Sequence, residues 1–154
     1  MAKLPITYYP NPILRKAAKE ILDVKKPSIQ KLIADMLETM EKNNGVGLAA
    51  PQVGKSLRLC VIRVSEITYV LVNPKITYTS AKKETDIEGC ISFPGKFISI
   101  KRHEKVRVKA LNEKGEEINI KAKGLLSRAL QHEIDHLDGI VFIDREKEDK
   151  KARR

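Results

Sequence analysis

The hydrophobic period of this chain changes twice, and those changes limit what it can fold into. Between positions 29 and 40 the apolar residues Ile29, Leu32, Ile33, Met36, Leu37 and Met40 recur at steps of three and four. That is the spacing of one buried stripe on a helix. From Leu57 onward the texture is that of strands: residues 57–64 and 69–73 are continuous or alternating apolar runs, and Pro74 closes the second. Val106, Val108 and Ala110 alternate with charges, as do Ile118, Ile120 and Ala122, and Asn112-Glu-Lys-Gly115 supplies a turn between them. This pair predicts a hairpin. A helix follows over 125–137, stopped by Gly139. Helices flanking a block of strands predict an α+β fold of one domain, with antiparallel or mixed strands around the C-terminal helix.

The finer expectations rest on local signals. Residues 11–19 read as a short helix with Asn11 as N-cap and Pro12 at the first helical position. Ser28 is expected to open the long helix, which runs to about Lys42 and ends at Asn43-Asn44-Gly45. A loop is expected over 45–56 and a last strand over 141–143. The domain is expected to span 1–145, with 146–154 as a charged tail that frays.

Composition removes several classes. A chain of 154 residues with 42% hydrophobic residues can fill one core. No stretch approaches the roughly 20 apolar residues of a membrane span, and the N-terminus has no continuous apolar run of the secretory type. The expectation is a soluble, cytoplasmic protein, an organellar origin with a removed transit peptide being the other possibility. Two cysteines, Cys60 and Cys90, do not make a disulfide framework. The net charge of +10 favours approach to polyanions. No RNA-recognition signature, aromatic stacking pair or arginine-rich run accompanies it, so from charge alone it reads as a solvated lysine-rich surface.

The chemistry concentrates in His132-Glu133-Ile134-Asp135-His136. Residues four apart on a helix lie one turn along and about 40° around the axis, so both imidazoles can reach one metal ion. Glu133 projects beside them, placed to hold and deprotonate water without being a ligand. Only three histidines occur in the chain, and two of them stand in this motif. A catalytic centre of this kind takes three protein ligands. A carboxylate, His103 or a cysteine can supply the third. Cys60, inside the apolar run 57–64, reads as core. Cys90 lies 42 residues before His132 (132 − 90) between Gly89 and Pro94, and by itself it is equally a buried thiol or a ligand.

Three stretches taken together carry a resemblance. Gly45-Val-Gly-Leu-Ala-Ala-Pro-Gln52, Glu88-Gly-Cys-Ile-Ser-Phe-Pro94 and Gln131-His-Glu-Ile-Asp-His-Leu-Asp-Gly139 resemble, in order and separation, the three signature motifs of the peptide deformylases. Tyr9-Pro-Asn-Pro-Ile-Leu-Arg15 resembles that family's opening segment, and the likeness spans roughly residues 4–145. It implies a metal-dependent hydrolase that removes the N-formyl group from the initiator methionine of nascent polypeptides. It implies that Cys90, His132 and His136 bind one divalent metal ion with water as fourth ligand. The native ion implied is Fe²⁺, with Zn²⁺, Ni²⁺ or Co²⁺ also suited to the donors. Glu133 would be the general acid and base, and Gln52 with the Ile91 backbone N–H would stabilise the oxyanion.

The resemblance also implies that Val46, Gly47 and Leu48 form the segment on which substrate lies. The backbone of Val46 and Gly47 would pair with it as an added strand. Val46, Phe93, Leu125, Ala129 and His132 would receive the methionine side chain. Glu88 and Arg102 match family positions, implying an ion pair that shapes the Cys90 segment. The partners implied are formyl-Met nascent peptides and a transient ribosome contact through the basic surface, with no membrane, no specific nucleic-acid sequence and a monomeric state. Two other readings fit less well. A metallopeptidase or aminoacylase of the His-Glu-x-x-His type takes its third ligand downstream, where this chain has only Asp138, Asp144, Glu146, Glu148 and Asp149. A basic RNA-binding protein with a structural metal needs four ligands, and three are evident.

Overall fold

The computed structural model describes residues 2–146. The long helix α1 covers Pro27–Lys42 and is followed by strands β1 (Gly47–Ala49), β2 (Leu59–Val64) and β3 (Ile67–Thr79). Then come β4 (Lys83–Cys90), β5 (Phe93–His103), β6 (Lys105–Leu111), β7 (Glu117–Lys123) and helix α2 (Gly124–Leu137). All strand pairs are antiparallel. Five strands form one sheet in the order β1-β2-β3-β6-β7, and β4 and β5 form a separate ribbon. The α+β expectation holds, with α2 at its centre.

Period-two alternation places the helices. One sheet face presents Leu59, Val61, Val70 and Val72 to Leu32, Ile33, Met36 and Met40 of α1. The other presents Cys60, Ile62, Leu71, Val106 and Val108 to Ala129, Leu130, Ile134 and Leu137 of α2. The ribbon has a smaller apolar anchorage, where Phe93 and Ile100 meet Leu14, Val141 and Phe142. No helix among the described residues is long and apolar enough to cross a membrane.

Several local expectations are corrected by pairing elsewhere in the fold. The segment 11–19 is a single 3₁₀ turn over Pro12–Arg15, capped as expected by Asn11, whose side chain accepts from the Ile13 N–H. Beyond it Ala18 N–H donates to Leu137 and Lys19 bridges Leu57, so the chain is drawn out rather than coiled. Ser28 does not cap α1. Pro27 starts that helix, and the Lys26 carbonyl takes the N–H groups of Ile29 and Gln30.

The expected loop 45–56 contains β1 and a 3₁₀ turn, Ala50–Val53. Pro74 does not end β3, because the register shifts between Val72 and Lys75 and its missing N–H falls within that irregularity. Residues 142–146 are helical rather than a strand. Asp144 folds this segment back by accepting from the Val141 N–H, and Phe142 buries beside Phe93. Most of the tail 146–154 lies outside the described residues.

Candidate active site

The last helix carries its polar motif on a buried face. Ser127 through Leu137 are all buried, although five of them carry charged or imidazole side chains. His132 and His136 stand one turn apart with ring centroids 5.0 Å from each other. The ribbon brings Cys90 to them. Cys90 Sγ lies 3.4 Å from His136 Nε2, and the ligand atoms of Cys90, His132 and His136 all fall within 4.8 Å of one another. A thiol and two imidazoles are the donor set of a borderline transition metal. His103 takes no part, since its Nδ1 pairs with the Ser80 carbonyl. Cys60 is fully buried in the sheet core, where burial, then the charge of Glu133, pushes its thiol well up.

What aims the first histidine is a buried set of charges. His132 Nδ1 meets Glu88 Oε1 at 2.8 Å, which turns its other nitrogen toward Cys90. The expected Glu88–Arg102 pair is present and bidentate, at 2.8 and 3.0 Å. Arg128 adds a second guanidinium to Glu88 at 2.7 Å, and also donates to the carbonyls of Ile100 and Glu84. Asp135 joins Arg102 to Arg145. Burial opposes ionisation of Glu88, but its bonds from His132 and Arg102 win and hold it well below the usual carboxylate range.

Glu133 faces the metal-ligand side. Burial raises its carboxyl to about 7 against the pull of His132, and Oε1 is buried without a hydrogen-bond partner. A Cβ on Gly47 would come within 2.5 Å of Glu133 Oε2, so only glycine lets β1 pass this close. For His132 burial pulls downward, yet Glu133, Cys90 and Glu88 outweigh it and raise the ring to about 10. For His136 burial dominates and His132 adds to it, driving it well below its ordinary value. His136 Nδ1, like Glu133 Oε1, has no partner. Orphaned polar atoms beside three converging donors fit a bound cation and its ligands.

These groups stand at a cavity of about 400 Å³ lined by Val46, Gly47, Gln52, Cys90, Ile91, Leu125, Ala129, His132 and Glu133 among others. Gln52 Nε2 lies 3.4 Å from Cys90 Sγ and 3.2 Å from Ser92 Oγ, and its Oε1 accepts from the Ala49 N–H. Two of the sequence-predicted residues adjoin the site without lining this cavity, Phe93 pairing with Cys90 across the ribbon and Leu48 following Gly47 in β1. Phe93 is stacked between Tyr9 and Phe142, with ring centroids 4.7 and 4.9 Å away. Leu48 is wholly buried in the α1 core. In their place the structure supplies Ile87, Phe97 and Arg128. Arg128 sits four residues before His132, and that spacing was the available signal. Ile87 and Phe97 gave none, because the ribbon itself was not visible as strands.

Comparison with known proteins shows the family. The family model for polypeptide deformylase matches residues 3–152. A peptide deformylase of Carboxydothermus hydrogenoformans is 50% identical over 145 residues, 94% of this chain and 94% of that one. The crystal structure of the peptide deformylase of Ehrlichia chaffeensis in complex with actinonin superposes with a TM-score of 0.92 at 41% identity, covering 100% of both chains. A peptide deformylase of Acinetobacter baumannii, solved with Met-Ala-Ser bound, superposes with a TM-score of 0.91 at 33% identity, covering 94% of this chain and 98% of that one. With identity this high over nearly the full length, the chain belongs to the polypeptide deformylase family.

Proposed function

We propose that the chain hydrolyses the N-formyl amide at the initiator methionine of nascent polypeptides, releasing formate, with one metal ion held by Cys90, His132 and His136. The observation that carries this reading is the meeting of those three donors within 4.8 Å, beside a buried carboxyl with an unpartnered oxygen, in an apolar-mouthed cavity. A divalent ion bound there supplies Lewis acidity, polarising a carbonyl and making water a nucleophile near neutral pH. Fe²⁺ is the native ion in this reading, and Zn²⁺, Ni²⁺ or Co²⁺ also suit the donors.

Glu133 acts as general base and then general acid. It takes the proton of the attacking water on Oε1 and returns it to the departing amine. Its carboxyl, raised to about 7 by burial, is suited to both directions of transfer. Gln52 Nε2 and the Ile91 backbone N–H donate to the oxygen that gains charge on the formyl carbon. Strand β1 is the edge of its sheet, so the backbone of Val46 and Gly47 can take the peptide as a further strand. Val46, Ile87, Leu125, Ala129 and His132 surround the methionine side chain. The catalytic domain covers 1–145 in a monomeric cytoplasmic protein that reaches the ribosome through its basic surface.

The test is kcat/KM of the ferrous-loaded protein, kept anaerobic, on formyl-Met-Ala-Ser, its norleucine and glycine analogues, and acetyl-Met-Ala-Ser. Norleucine should stay within about 10-fold of methionine, because an apolar slot discriminates weakly between unbranched chains. The glycine analogue should be far worse. The acetyl peptide should fail, since its extra methyl must fit beside Gly47. Equal turnover of formyl and acetyl peptides would point to a general aminoacylase.

A further inference from the structure

The second surface of interest lies on the far side of the sheet from the cavity. Helix α1 packs on β1, β2 and β3 and reaches the β6–β7 hairpin only at its turn end, where Leu111 joins the α1 core and Gln30 donates to the Glu113 carbonyl. The same face of β6 and β7 is uncovered from there to Lys105 and Lys123. On that bare face stand Lys105, Arg107 and Lys109 of β6 and Lys121 and Lys123 of β7, with Lys75 of β3 beside them, all exposed. The register sets Lys105 opposite Lys123, Arg107 opposite Lys121 and Lys75 opposite Lys109. Like charges directly opposed across a sheet are destabilising. Three such pairs side by side are a cost that this face bears with little internal relief.

Among the described residues only Lys109 of the six has a carboxylate partner, Glu117. Arg107 lies over the exposed ring of Tyr78, 5.1 Å from its centroid. The acidic residues Glu113, Glu116 and Glu117 collect at the turn end of the hairpin, so the positive field opens toward Lys105 and Lys123. At about 6.8 Å between successive side chains on a strand face and about 4.8 Å between strands, the cations form a flat grid of roughly 14 by 10 Å. The excess charge, which composition alone left as a solvated surface, is here ordered in two dimensions.

We propose that this face docks the phosphate backbone of RNA. A flat positive grid with one stacked arginine–tyrosine pair matches a sequence-independent contact with phosphates, whose strength comes from counterion release. The choice of RNA over a lipid headgroup rests on the reading that the chain acts on polypeptides as they are made. Docking there leaves the cavity open, because α2 with His132 and Glu133 packs on the opposite face of the sheet.

The experiment measures binding of the full, metal-loaded chain to an RNA duplex of about 16 base pairs as salt is varied. The variant Lys105→Gln/Arg107→Gln/Lys121→Gln/Lys123→Gln should lower the slope of log K against log salt by about 3 to 4, and weaken binding at least roughly 10-fold. A control with the same change of net charge, Lys16→Gln/Lys19→Gln/Lys42→Gln/Lys55→Gln, should change the slope by less than about 1. Both should hydrolyse formyl-Met-Ala-Ser as the parent does, which reads the deformylase reaction separately. If the fourfold variant folds poorly, the pair Lys105→Gln/Lys123→Gln should still lower the slope by about 2. Equal losses in grid and control variants would reduce the effect to net charge and overturn the proposal. So would absence of RNA binding by the parent, or stronger binding through the same residues to phosphatidylserine vesicles.

Discussion

The two walls of the cavity are held in place by different forces. One wall, built from β1, the 3₁₀ turn with Gln52 and helix α2, belongs to the five-stranded sheet and rests on two aliphatic layers. The other is the ribbon β4–β5, which carries Glu88, Cys90 and Ile91 and has a smaller apolar cluster, where Phe93 and Ile100 are buried and Cys90 and Ile98 pack against them. Besides the bonds of Ser127 and Gln131 to the His103 backbone at one end, its attachment to α2 runs through a buried chain of charges, Asp135 to Arg102 to Glu88 to Arg128. An aliphatic layer loses stability in proportion to what is removed from it. A buried charge set loses far more when one member goes, because the rest are left uncompensated. The ribbon is thus placed sharply but not redundantly, and the metal donor that it carries shares that property.

The strongest way to break this contrast is to delete one member from each wall. Glu88→Ala leaves Arg102, Arg128 and His132 without their shared anion, and should cost about 3–5 kcal/mol together with most of the metal. Leu71→Ala, in the sheet core, should cost a comparable 2–5 kcal/mol or so and keep the metal. Thermal denaturation with metal-to-protein ratios measures both. Equal metal loss in the two variants would erase the distinction between the walls.

Glu133→Ala separates chemistry from attachment on the sheet-held wall. Metal content should remain near that of the parent while kcat falls roughly 10² or more, since Glu133 is a proton carrier and not a ligand. Loss of metal in proportion to activity would make it a ligand instead. The two cysteines repeat the contrast on a smaller scale. Cys90→Ser should weaken metal retention and activity. Cys60→Ser, a hydroxyl placed in an aliphatic layer, should cost about 1–3 kcal/mol and leave the centre intact.

The mildest perturbation is acid. Because the Glu88 carboxyl is held below its ordinary value of 4.5, its stabilising share is complete above that pH and is lost as pH falls beneath it. In the metal-free protein, the difference in Tm between parent and Glu88→Gln should be largest above pH 4.5 and shrink below it. A difference that stayed constant down to low pH would mean that Glu88 acts by shape and not by charge.

The sequence by itself determined whatever depends on neighbours along the chain. The stripe of α1, the hairpin β6–β7 and the helix that ends before Gly139 are local periods and turns, and Gly139 indeed has φ of +75°. The pairing of His132 and His136 on one helix face is of the same kind, because the helical repeat fixes it. Tertiary structure decided what depends on partners far away in sequence. The ribbon hid because its strands alternate weakly, most of β4 being exposed on both faces, and its position is set by charges from α2. Pro74 runs through a strand because the irregular register absorbs its missing N–H, which no local rule anticipates. Phe93 left the cavity for a ring stack that the fold creates. Cys90 is the sharpest case. Its residue type permits a ligand or a buried thiol, and the approach of its sulfur to His136 across 46 residues comes from strand pairing and buried ion pairs, long-range forces that have no period to read.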